Sequence, residues 1–168
     1  MFSGNLFVPG KLAYVRNGDR PPVDCILCAV LAEDPAVCNL LVWRNAHFGV
    51  SLNLYPYNPG HVMVFPARHL EDIRDMSGDE ILEEARVRSL AMTVLDEIYH
   101  PQGYNLGYNI GGASGASIPH LHMHIVPRYQ NELGVVDILS GTKIIIEDPA
   151  LTCAKLRDAF AKHAPPKS

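Results

Sequence analysis

The stretch "IPHLHMHIVP" at 118–127 constrains this chain more than any other feature. Polar and apolar residues alternate through it, and a period of two is the pattern of a half-buried β-strand. Successive strand side chains point to opposite faces. Leu121, Met123 and Ile125 are therefore expected in a core. His120, His122 and His124 are expected to share the other face, with neighbouring rings roughly 6–7 Å apart along the strand. Imidazoles fill strands less well than Val or Thr, and a row of them repels once protonated. Near neutral pH an imidazole serves as nucleophile, general acid or metal ligand. The spacing alone does not choose among these roles, and it also allows all three rings to hold one catalytic metal.

The flanking sequence supplies the rest of a sheet. Segments 39–45, 48–54, 61–66 and 104–110 read as strands, and "TKIII" at 142–146 as one more. The clearest helix lies in 77–103, where Ser77 and Glu80 form a capping box. Ile81, Ala85, Leu90, Ala91, Val94, Leu95 and Ile98 give it an apolar stripe, and Pro101 ends it. Asp148 as N-cap and Pro149 in the first turn open a short helix running to about Lys162. The strands flanking "GGASGAS" at 111–117 are joined closely, which favours antiparallel pairing. The expected class is α+β: an antiparallel sheet of about five strands with one long and one short helix packed on one side.

The chain of 168 residues is the length of one domain. Residues 1–24 read as an N-terminal arm and link, 25–130 as the core and 131–168 as a C-terminal strand and helix. A net charge of −4 offers no broad basic surface, so duplex nucleic acid is not expected as a partner. No run of 18 apolar residues occurs, so no membrane span is expected. The opening "MFSGNLFVPGKLAYV" lacks the pattern of a signal peptide. Four cysteines are too sparse for a disulfide scaffold, and a cytoplasmic setting fits them. Cys38 and Cys153 read as small buried hydrophobes.

Two further motifs carry chemistry. Small residues in "GGASGAS" let backbone N–H groups approach an anion, and Ser117 adds a hydroxyl, so the loop beside the imidazoles reads as a phosphate cradle. "CILC" places Cys25 and Cys28 at the spacing of half a zinc site. A redox pair or two structural thiols are the other readings of that spacing.

"HLHMHIV" at 120–126 resembles the signature of the histidine-triad (HIT) superfamily, three histidines alternating with apolar residues. "NLYPYNPGHVMVFPARH" at 53–69 resembles the same family's segment, in which Pro-Gly-His leads through apolar residues to proline and a further histidine. "CILC" is similar to the zinc-bearing members, and "NLFVPGKLAYV" loosely to the opening of bacterial members, without their tryptophans. The likeness covers roughly 5–130, and "LNLYPYNPGHVMVFP" is similar to a bacterial subgroup with diadenosine tetraphosphate phosphorylase activity.

The resemblance implies a nucleotidyl hydrolase or transferase. His122 would attack the α-phosphorus of a nucleoside phosphate to form a covalent nucleotidyl-histidine. His124, Ser117 and the amides of Gly115 and Ala116 would stabilise charge, and His61 would support them. Asn53 would hold the ribose, and Asn109 would contact phosphate or ribose. Cys25, Cys28, His69 and His120 would hold a structural zinc. Dinucleoside polyphosphates are the implied substrates, cut by phosphorolysis or hydrolysis. A nucleoside phosphoramidase and a non-catalytic nucleotide-binding module are the alternatives. Ala116 stands where many relatives have Gln, which touches substrate preference. His124 stands where the hexose-phosphate uridylyltransferase branch has Gln. The family's habit of joining sheets edge to edge implies a homodimer.

Overall fold

The computed structural model describes residues 21–130, 132 and 148–163. The arm at 1–20 and the expected strand at 142–146 lie outside the described residues. Five antiparallel strands form one sheet: β1 (Leu41–Arg44), β2 (Phe48–Leu52), β3 (Val62–Pro66), β4 (Gly103–Tyr108) and β5 (Met123–Arg128). Their order across the sheet is β1-β2-β3-β5-β4. Asn45 closes the β1–β2 turn, its Oδ1 accepting from the N–H groups of His47 and Phe48 at 2.9 and 2.8 Å.

Alternation along the central strands separates two apolar layers. Val62, Val64, Met123 and Ile125 pack against the long helix α2 (Gly78–Tyr99), through Val87, Ala91, Val94 and Leu95. The C-terminal helix α3 (Pro149–His163) adds Leu156, Ala159 and Phe160 to the same layer. Met63 and Phe65 point the other way, onto a six-residue helix α1 (Ile26–Leu31). The expectation of helices on one side thus holds for α2 and α3 but not for α1.

The helix ends follow the local chemistry. Ser77 Oγ accepts from the Glu80 N–H at 3.2 Å, and Glu80 accepts from the Ser77 N–H at 2.8 Å. Arg68 also donates to both Glu80 oxygens, and Glu80 is held at a pKa of about 2, chiefly by that guanidinium. Asp148 Oδ1 accepts from the Ala150 N–H at 2.8 Å to open α3. The apolar stripe on α2 differs from expectation at its first turn: Ile81 is 50% exposed, and the buried face runs through Val87, Ala91, Val94 and Leu95. Cys153 is buried as expected, whereas Cys38 is exposed.

Gly60 shows how closely the turn before β3 is fitted. Its φ is +77°, and a Cβ built there would sit 2.9 Å from the Tyr99 ring. Backbone strain and the clash act together. Gly60→Ala is expected to lower unfolding stability by about 2–4 kcal/mol in urea titration. A loss under about 0.5 kcal/mol contradicts this reading of the turn.

Candidate active site and metal cluster

The histidine stretch is not one continuous strand. β5 begins at Met123, so His120, Leu121 and His122 precede it. The three rings therefore do not form an evenly spaced row. The His122 and His124 centroids are 4.9 Å apart and edge-on, closer than strand spacing predicts. His120 turns to a different group, 5.0 Å from the ring of His69.

That group is a compact donor set. The ligand atoms of Cys25, Cys28, His69 and His120 all lie within 4.8 Å of one another. Cys25 ends the chain entering α1 and Cys28 sits in its first turn, so both thiols lie on one side of the helix start. His120 Nδ1 is 3.3 Å from Cys25 Sγ and 3.5 Å from Cys28 Sγ, and His69 Nδ1 is 3.6 Å from Cys28 Sγ. Four bonds of about 2.0–2.3 Å around tetrahedral zinc give ligand–ligand edges of about 3.3–3.8 Å. The set fits that geometry and that chemistry.

The partners of the donors agree with metal binding. His120 Nε2–H donates to the Pro66 carbonyl at 2.9 Å, which leaves Nδ1 as the lone-pair nitrogen facing the thiols. Glu71 lies 3.6 Å from His69 Nε2. Burial pushes the His120 imidazole down to about 4, so the ring is neutral at pH 7. Burial and the adjacent Cys25 push the Cys28 thiol up to about 11.

A second cluster surrounds His122 and His124. His122 Nδ1–H donates to the carbonyl of His120 at 2.7 Å. Its Nε2 is then the lone-pair nitrogen, as a nucleophile requires. The other tautomers follow from a backbone donor. The Tyr57 N–H donates to His61 Nδ1 at 3.1 Å, so His61 carries its proton on Nε2. That N–H donates to His124 Nδ1 at 3.0 Å. His124 consequently carries its proton on Nε2; Asn109 Nδ2 lies 3.4 Å from that nitrogen, and the amide accepts the proton only with its oxygen turned to the ring. The Asn53 amide lies 3.2 Å from His61 Nε2.

The sequence did not mark the residues that hold this chain of imidazoles. The Tyr57 ring stacks on His61 with centroids 5.0 Å apart. Buried Asn58 donates to the Pro127 carbonyl at 2.6 Å, and Tyr129 Oη donates to the Pro59 carbonyl at 3.0 Å. These bonds tie the turn carrying His61 to the end of β5. "YNPG" gave a turn signal, but nothing in it pointed to a clasp on β5.

The glycine-rich loop contains a single 3-10 turn at Gly112–Ser114, with φ of +77° at Gly111 and +87° at Gly115. The Gly115 N–H is used inside the turn, donating to the Gly112 carbonyl at 3.1 Å. Its contribution is conformational: it aims the chain toward Ala116 and Ser117, both half-buried. Ile118, the next residue, lines a cavity of about 270 Å³. Ile26, Leu27, Val30, Leu52 and Met63 wall that cavity, and Asn53 borders it.

The HIT domain family matches the chain over residues 37–131. The chain belongs to the HIT domain family. It is 38% identical over 107 residues to the AP-4-A phosphorylase of Mycobacterium tuberculosis, a match covering 63% of this chain and 55% of that protein. The chain thus spans about half the length of that relative. It is 33% identical over 113 residues to an uncharacterized HIT-like protein of Methanocaldococcus jannaschii, covering 67% of this chain and 84% of that one. A zinc-bound histidine triad family protein from Mycobacterium smegmatis superposes with a TM-score of 0.65 at 26% identity, over 83% of this chain and 94% of that one.

The raised Cys28 pKa has a consequence for metal loading. The thiol is protonated at neutral pH without metal, so binding must release its proton. Zinc affinity is expected to rise at least about ten-fold per pH unit through the neutral range, and Cys28→Ser to lower it more than about 100-fold. Competition titration with a chromophoric chelator measures both. Affinity independent of pH, or unchanged in the variant, contradicts the assignment.

Proposed function

We propose that this HIT-family chain cleaves nucleoside α-phosphate bonds through a covalent nucleotidyl-His122, with dinucleoside polyphosphates such as diadenosine tetraphosphate as substrates. The observation that carries this reading is the 2.7 Å bond from His122 Nδ1–H to the His120 carbonyl, which leaves Nε2 as the lone-pair nitrogen for the proposed attack. The similarity to a protein named AP-4-A phosphorylase supports the substrate class.

In the proposed first step, His122 Nε2 forms a P–N bond to the α-phosphorus as the P–O bond to the leaving polyphosphate breaks. Water or inorganic phosphate then attacks the same phosphorus, and the P–N electron pair returns to Nε2. Charge on the transferred group spreads over its oxygens, so positioned donors supply most of the stabilisation. His124 Nε2–H is one donor, kept in that tautomer by His61. Ser117 and the amides following Gly115 are the others, with Ser117 also assisting the leaving group. Asn53 is assigned to the ribose hydroxyls and Asn109 to phosphate or ribose, and the 270 Å³ cavity beside Asn53 takes the base.

Zinc bound by Cys25, Cys28, His69 and His120 would act as a fixed cross-link with no open coordination position. Thiolate ligands of this kind persist in a reducing compartment, which supports a cytoplasmic location. Among the described residues no helix is long and apolar enough to cross a membrane. A homodimer joined along β4 completes the proposal. The β1 edge is covered by α3, where Arg157 Nε–H donates to the Leu41 carbonyl at 2.8 Å. Among the described strands β4 is the other edge, and Leu106 on it is 44% exposed.

Turnover of diadenosine tetraphosphate, with and without phosphate, tests the catalytic reading. His122→Ala is expected to lower kcat by at least about 10³-fold while nucleotide still binds. Quenched wild-type enzyme should carry a nucleotide adduct on the peptide containing His122. Wild-type-like turnover by the variant contradicts the assignment of the nucleophile.

A further inference from the structure

We infer that Ser51 reads the base of the nucleotide, selecting a ring that presents an exocyclic amine, as adenine does, over one that presents a carbonyl there. The inference rests on the proposed use of the cavity as the base site. Four polar side chains are among the described residues lining it: Cys38, Ser51, Asn53 and Tyr55. Cys38 is exposed, and Asn53 and Tyr55 are half-buried, so they belong to its mouth. Ser51 alone is buried, at 3% exposure, among Leu27, Val30 and Met63.

Two features make this hydroxyl a reader rather than a filler. Its one hydrogen bond is local: Ser51 Oγ donates to the carbonyl of the next residue, Leu52, at 3.2 Å. That bond joins no two elements of the fold, so the fold gains little from a hydroxyl in an otherwise apolar wall. The bond also biases polarity. While its proton is directed at Leu52, Ser51 Oγ offers lone pairs and accepts from a ligand N–H with that bond kept. A base carbonyl placed there is matched only if the hydroxyl turns its proton away from Leu52, so binding it costs the bond that an amine leaves intact.

The placement suits a base edge. Ser51 and Asn53 lie two residues apart and share one face of the chain, about 6.6 Å apart along the strand direction. If Asn53 holds the ribose, Ser51 faces the far side of the purine ring. Ser51 is fixed at that depth by pairing with Leu41 on β1 and Met63 on β3.

AMP and IMP differ at position 6 of the purine, amine against carbonyl, and serve as the probes. Isothermal titration of the zinc-loaded chain should show AMP binding at least about ten-fold more tightly than IMP. Diadenosine tetraphosphate should be preferred to its diinosine counterpart by a similar factor in kcat/KM. In Ser51→Ala the binding ratio should fall to within about two-fold, mainly through lost AMP affinity, with an unchanged melting transition and zinc content as the control for folding. Equal binding of AMP and IMP by the wild type overturns the inference and leaves the proposed function standing. So does a preference that survives in Ser51→Ala. Failure of both nucleotides to bind or turn over removes the proposed function and this inference together.

Discussion

Residue 120 is the point on which the structure turns, because its two ends belong to different sites. Its side chain enters the cysteine–histidine cluster through Nδ1 and is braced by the Pro66 carbonyl on Nε2. Its own carbonyl accepts the Nδ1 proton of His122. One peptide unit therefore links the packing of α1 against the sheet to the orientation of the ring proposed as nucleophile. Any change that frees the side chain of His120 also frees the acceptor that sets the tautomer of His122. A metal held by Cys25, Cys28, His69 and His120 would, with no open position, serve to keep that backbone oxygen in place.

The same logic recurs on the other side of His122. A backbone N–H at Tyr57 decides which nitrogen of His61 is protonated, and His61 decides it for His124. Side-chain tautomers here are set by the main chain, which is stiffer than any side chain and is itself clasped to β5 by Asn58 and Tyr129. The consequence is a pair of imidazoles with opposite polarity. His122 presents a lone pair and His124 presents a proton, as nucleophilic attack on a phosphorus with nearby charge stabilisation needs.

Much of this was legible in the chain itself. The sheet could be read because Met123 and Ile125 alternate with polar positions, and the caps of α2 and α3 could be read from Ser77, Glu80 and Asp148. Cys25 and Cys28 could be read as half a zinc site from their spacing, but His69 and His120 joined them only through the family resemblance, since His120 lies 92 positions beyond Cys28. Helix α1 escaped because "CILCAVL" is apolar all round and offers no period. The even spacing of the three histidines misled in one respect: β5 starts at Met123, so His120 departs from the row and the other two rings close up. Cys38 and Ile81 are exposed because burial depends on which elements pack over a residue, which residue type alone does not determine. The cavity was invisible for a related reason, since its walls come from α1, β2, β3 and Ile118, far apart along the chain.

The central claim is that the His120 carbonyl fixes His122 with its proton on Nδ1 and its lone pair on Nε2. Nitrogen-15 NMR of the histidine side chains in the zinc-loaded protein at neutral pH tests this directly, with the His122 signals assigned through a His122→Gln variant. The predicted result is a protonated Nδ1 and a pyridine-type Nε2 as the dominant tautomer. A dominant Nε2–H tautomer for His122 would contradict the account.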